Sequence, residues 1–401
     1  MTSENRYSKN LYLLGLSTIL LIILGDLLRR FALFTNLAFD RYTAIAKIGI
    51  LLTYILFIFY YRKHYLNCRN KIKIALLTLM LLIIFLFSNI IIEHKYFNIA
   101  NFEFLIRYLF FPITFLTFYD LVKYPDKVYN LFKAIEILFL INCFLILLGY
   151  IFDIEIFKTY PNPNRFGFSG IFNRANQVSY ITILFMFIYV YKLLILKINK
   201  AKFFFALLAS LLVGTKKILF SIIIILVYFL YITRKKYIKS KIIVITVLSL
   251  SILLFRNNLK LFFISNFSIF MDIYKEHGFI TMIMSFRDKN LREAAQVHII
   301  ERWEFLNILV GGSDFTLIRS ELAFIDLFLF FGLIGILIYL VLAKLFYDLI
   351  DNNSKTLLLL LSLIIFTASM SGGFFSSVNI PFIFIVILFY FKSIPQKSTI
   401  S

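Results

Sequence analysis

The sequence predicts an all-α, polytopic helical membrane protein with about 12 transmembrane helices and one large external loop containing amphipathic helices. Three observations predict it. Hydrophobic residues make up 61% of the 401-residue chain and charged ones only 16%, with a mean hydropathy of +0.89, too little polar side chain to cover a water-soluble fold. The apolar residues come in continuous runs near the roughly 20 residues that cross a bilayer core as a helix, not in the alternation of a β-barrel. Basic residues gather in alternate connections, as cytoplasmic loops do under the positive-inside rule.

The elements follow in order. The polar stretch Met1 to Asn10 leads into an apolar run with no small-residue cleavage site after it, so the first span is read as a retained helix. Spans are expected at 11–28, 43–61, 74–92, 102–119, 128–151, 178–196, 202–213, 218–232, 242–255, 322–346, 356–370 and 380–391, in a single integral membrane domain, 1–401. Basic clusters lie at Arg62, Lys63, Arg69, Lys71 and Lys73, at Lys192, Lys197, Lys200 and Lys202, and at Arg234, Lys235, Lys236, Lys239 and Lys241. They place both ends in the cytoplasm and the loops 29–42, 93–101, 152–177, 256–321 and 371–379 outside. The formal charge of +21 is accounted for by this topology, and no nucleic-acid partner is expected. Cys68 and Cys143 have neither metal-ligand nor disulfide-framework spacing, and no cofactor or metal is expected.

The seventh and eighth spans are short, with Gly214-Thr215-Lys216-Lys217 between them. Two lysines in the first turn of a helix oppose its dipole, so the break reads either as an anion site or as two snorkelling lysines in a tight turn. Loop 152–177 is rich in Pro, Asn and Gly and carries Arg165 and Arg174 on the side where basic residues are disfavoured. Glu103 and Arg107 stand four apart on one helix face, either as a self-satisfied pair or with Arg107 reaching into an interior cavity.

The external loop 256–321 holds Arg287, Arg292, Arg302, Arg319, His277 and His298. Ile299, Trp303, Leu306 and Val310 recur at helical spacing, which predicts an amphipathic helix over the mouth of the bundle, with Trp303 as an interfacial anchor. Neither histidine has a partner at zinc-ligand spacing or a neighbouring nucleophile, and each reads as a hydrogen-bonded loop histidine. Gly311-Gly312-Ser313-Asp314 reads as a flexible turn.

The segments NPNRFGFSGIFNRANQ, GTKK, SFRDKNLREA, GGSD and ELAFIDLFLFFGLIGILIY, in that order over roughly residues 100–345, resemble the O-antigen polymerase and O-antigen ligase superfamily. Its members move glycans from a polyprenyl diphosphate carrier on the outer face of the bacterial cytoplasmic membrane. The resemblance places a basic residue at Lys216 and a Gly-Xaa-Xaa-Gly at Gly332–Gly335. Ligases of the family carry a His-Asn pair where this chain has Glu321-Leu322, and the spacing of Glu321 and Asp326 looks more like that of repeat-unit polymerases.

What the resemblance implies is a glycosyltransferase that joins undecaprenyl-diphosphate-linked oligosaccharide repeat units into O antigen, capsule or exopolysaccharide. Membrane lipid, a chain-length regulator and a flippase of the same pathway would be its partners. Glu321, Asp326 and Arg287 are the expected catalytic residues, and Arg107, Arg165, Arg174, Lys216 and Arg287 the cations for diphosphate and glycan. A ligase is the alternative within the same chemistry. A lipid-linked oligosaccharide transporter is the alternative from another class, against which stands the lack of an internal repeat.

Overall fold

The computed structural model describes residues 3–35, 37, 39, 41–92, 99–160, 166–194, 200–233, 246, 271–350 and 355–393. The expected span 242–255 apart from residue 246, Arg234, the lysines at 197, 235, 236, 239 and 241, Arg165 and residues 256–270 of the expected external loop lie outside the described residues. Every other expected span is a helix. In chain order these are α1 (Ser3–Phe34), α2 (Tyr42–Tyr60), α3 (Arg62–Leu66), α4 (Arg69–Leu86), α5 (Ile99–Phe118), α6 (Pro125–Ile151), α7 (Ala175–Leu194), α8 (Lys200–Leu212) and α9 (Lys216–Thr233). They continue with α10 (Arg287–Ala294), α11 (Phe305–Val310), α12 (Ala323–Ile350), α13 (Lys355–Met370) and α14 (Asn379–Ser393); residues 271–284 are helical as well. Among the described residues, six helices are long and apolar enough to cross a membrane: α1, α2, α4, α5, α6 and α12.

The chain forms two compact units, one of residues 1–25, 43–135 and 286–401, the other of 26–42 and 136–285. In the first, α4 packs on α5 and α12, and α14 packs on α5. From Ile380 to Phe391 every residue of α14 is buried, as a helix apolar on all sides requires. The phenylalanines fill this core by ring contact: Phe85 stacks on Phe330 at 5.5 Å, Phe118 meets Phe382 at 5.0 Å, and Phe132 stacks on Tyr390 at 3.6 Å. Without a hydrophobic drive between helices in lipid, such close packing is what holds them together. In the second unit α7 plays the central part. It is buried from Val178 to Leu193 and packs on α8 and α9, with Phe139 stacked on Phe185 at 4.3 Å.

The amphipathic helix expected around Trp303 is corrected by the structure. A π-helical turn occupies Ala295–Ile300, and the helix is broken at Trp303 and Glu304 before α11 begins. A capping box between Glu304 and Asn307 starts α11 afresh, since Glu304 is extended and can no longer continue the preceding turn. α11 lies along the flank of α12, not over the mouth of the bundle. Gly311-Gly312 is not a loose turn either. A Cβ on Gly311 would lie 2.5 Å from the Phe330 carbonyl, and one on Gly332 would lie 2.4 Å from that of Leu309. Both glycines have positive φ, and Gly332 kinks α12. The two backbones interlock because neither has a side chain in the way.

Candidate functional site

In the first unit the junction between the segment ending at Leu322 and α12 is built around Asp326. Its Oδ1 accepts the Ser320 backbone N–H at 3.0 Å and the Ser320 hydroxyl at 2.7 Å, while Ser320 Oγ accepts the Leu322 N–H at 3.1 Å. Asp326 is 3% exposed, and these bonds compensate its removal from water. They fold residues 320–322 into a tight turn in which Glu321 takes φ +59°. A left-handed backbone costs an L-residue roughly 1–2 kcal/mol, and a non-glycine held there points to a constrained site. The turn is pinned from behind by Gly372, whose missing Cβ would sit 2.9 Å from the Glu321 carbonyl oxygen.

This turn presents the half-exposed Glu321 carboxylate to Arg287, with Nε and Oε2 3.7 Å apart. Arg287 opens α10 directly after Phe286, another residue at positive φ. Next to Glu321, the Arg319 guanidinium lies 4.9 Å from the centre of the Phe104 ring, and Arg107 lies 4.8 Å from the same ring. Arg107 also pairs with Glu103 at 3.4 Å. Phe315 meets Phe104 edge-on at 5.4 Å. Arg107 and Arg319 thus share the Phe104 ring, Arg107 paired with Glu103, while Arg287 faces Glu321. Planar cations on an aromatic ring are partly dehydrated and oriented, which suits recognition of phosphate oxygens.

Of the expected catalytic residues, Glu321 and Arg287 come together here. Asp326 does not face the surface. It is a buried brace for the turn, and both hydrogen bonds to Ser320 occupy its Oδ1. Sequence reasoning noted Arg319 without assigning it, since its partner ring Phe104 is more than two hundred positions away. His298 is buried and bonds the Ile318 carbonyl at 2.9 Å, the loop role its spacing suggests.

In the second unit Lys216 begins α9, and its ammonium donates to the Met282 carbonyl at 2.9 Å and to Ser285 Oγ at 3.2 Å. Lys217 donates to Asn176 Oδ1 at 3.0 Å and lies 4.0 Å from the Tyr180 ring centre. The opposition between these lysines and the helix dipole is thus relieved by carbonyl oxygens and a π face. The break itself is held as the kink in α12 is. Gly214 and Gly167 meet backbone to backbone, with a Gly214 Cβ 2.2 Å from the Phe166 carbonyl oxygen, and the Phe168 N–H caps the Leu212 carbonyl at 2.8 Å.

The sequence reading passed over Asp26 and Arg30, which organise loop 152–177. Arg30 donates to the carbonyls of Ile156, Ile171 and Phe172 and to Ser169 Oγ, and Asp26 accepts from Gln177 at 2.9 Å. A carboxylate and a guanidinium four apart in an otherwise apolar helix were the available signal. Arg174 is exposed at the start of α7. Lys71, a member of the first basic cluster, is 2% exposed, bound to Asp120 and 4.7 Å from the Tyr65 ring centre.

No protein-family model, curated protein or solved structure matches this chain. Among the described residues, no three His, Cys, Asp or Glu side chains are grouped as metal ligands.

Proposed function

We propose that this chain is a membrane glycosyltransferase that joins polyprenyl-diphosphate-linked oligosaccharide repeat units, acting on the outer face of a bacterial cytoplasmic membrane with about 12 spans and both ends inside. The observation that carries the reading is the Glu321 carboxylate, held at an unfavourable φ by buried Asp326 and set against Arg287, with Arg319 two positions before it and sharing the Phe104 ring with Arg107.

In the reaction, an acceptor sugar hydroxyl attacks the anomeric carbon of the donor. The bond from that carbon to the diphosphate oxygen breaks, and its electron pair leaves with the diphosphate. Glu321 takes the hydroxyl proton. The arginines meet the charge that grows on the diphosphate, in a setting where fixed donors act more strongly than water does. Asp326 positions Glu321 and takes no proton. Lys216, Arg174 and Arg165 keep the glycan- and anion-binding roles that the resemblance implies.

Glu321→Gln retains shape and hydrogen bonding but removes the base. Membranes supplied with lipid-linked repeat units should then make polymer about 100-fold more slowly, the range of general-base catalysis, with protein level unchanged. Deleting the gene should leave single repeat units on the final acceptor. Long polymer remaining on the carrier, with nothing transferred, would mean a ligase and defeat the polymerase reading.

A further inference from the structure

The segment from Ile299 to Phe315 does not sit above the first unit but runs down beside α12. Trp303 meets Phe328 at 5.3 Å, Phe315 meets Phe330 at 5.0 Å, and Gly311 and Gly332 interlock as described. These contacts fall about 8–14 Å along the helix axis from Ala323, at a rise of 1.5 Å per residue. They lie past Asp326, within the uncharged stretch Leu327–Ala343 that precedes Lys344. On the outer side of the segment, apolar side chains stand bare: Ile300 is 70% exposed, Phe305 75%, Leu306 47% and Ile308 39%. A loop in water would gain nothing from showing these residues.

Backbone that enters hydrocarbon must have its N–H and C=O groups satisfied by protein. Several backbone groups of the irregular stretch Gly311 to Phe315 meet that requirement. Gly312 N–H donates to the Phe330 carbonyl at 3.3 Å and Ser313 N–H to the Leu329 carbonyl at 3.1 Å, in the turn before the Gly332 kink. Gly311 N–H bonds Asn307 O at 2.7 Å, and the Asn307 side chain bonds Gly311 O at 2.9 Å. Phe315 N–H is taken by Asn101 Oδ1 at 3.0 Å.

We infer that residues 299–310 form a re-entrant element in which the bare Phe305, Leu306 and Ile308 of α11 are seated in the acyl chains of the outer leaflet, while the exposed Glu301, Arg302 and Glu304 reach the headgroups. The occupant follows from the neighbouring surface. The bare stripe of α12, Leu333, Leu337, Leu340 and Val341, begins beside Gly332, where α11 docks, so the two apolar faces continue one another. A face continuous with a lipid-facing helix and at the same depth is covered by the same lipid. The inference requires the membrane reading of the chain but no glycan chemistry, so its test is independent of polymer synthesis.

Trp303 is the sole tryptophan, and its emission reports this segment alone. The full chain, one copy per lipid nanodisc, would be prepared with phosphatidylcholine brominated midway along its acyl chains. Loss of Trp303 emission in these discs, with little loss to aqueous iodide, is the expected result. Phe305→Cys changes an exposed position and leaves the packing in place. Its thiol should resist a charged maleimide in nanodiscs, while that of Glu301→Cys, also exposed, reacts readily. Unquenched emission with Phe305→Cys as reactive as Glu301→Cys would place the face in water and overturn the inference. Unquenched emission with a protected thiol would mean that protein covers the face, and would equally overturn it.

Discussion

At Glu321 one residue carries both backbone strain and the proposed chemistry. Its left-handed backbone is paid for by three hydrogen bonds around Ser320 and Asp326 and by the close approach of Gly372. Glu321→Gly removes the backbone cost and the carboxylate together. The variant should unfold in detergent at a higher temperature, by a stabilisation of about 1 kcal/mol, yet make little polymer. A lower Tm would show that Glu321 is not strained as its φ implies. Arg319 offers the complementary test. Its guanidinium is fixed on Phe104 beside Arg107, so Arg319→Ala should slow polymer synthesis about 100-fold, the loss typical of one fixed electrostatic donor. Unchanged synthesis would remove Arg319 from the site.

Two breaks in helices share one construction at the scale of elements. Gly311 against Gly332, and Gly167 against Gly214, bring backbones together where any side chain would collide. Gly332→Ala faces carbonyl atoms at 2.4 Å and a φ of +65°, neither of which a flexible side chain can yield to. The substitution should cost about 2–4 kcal/mol, within the range of severe single mutations. Gly311→Ala should cost a similar amount, and the double variant less than the sum, because both act on one contact. Thermal unfolding of the purified proteins measures this; additive losses would mean that the two glycines act separately.

For the whole molecule the testable quantity is topology. Lys63 and Lys289 are both exposed, one in α3 and the other in α10. Single cysteines at these positions should divide cleanly, position 289 labelled from outside the cell and position 63 only after permeabilisation. Labelling of position 289 solely from the cytoplasmic side would remove the proposed site from the face where the carrier-linked glycans lie.

The helices were legible because hydropathy and helix length are local properties: twenty apolar residues read the same wherever they sit in the fold. The break at Gly214 and the Glu103–Arg107 pair were legible for the same reason. Depth and partnership were not. α7 and α14 look like any other apolar run, and only packing makes them the buried centres of their units. The period of Ile299, Trp303, Leu306 and Val310 suggested one helix, but the capping of α11 and its glycine contact with α12 divide it. Glu321 and Asp326, five residues apart, read as a base and a positioning group, but the spacing alone shows no partner for either. Burial and the bonds to Ser320 make Asp326 a brace and leave Glu321 facing Arg287. Sequence alone thus determined that this chain folds as apolar helices. Which charges meet at its surface was decided by tertiary structure, because a buried carboxylate must find its donors wherever the folded chain brings them.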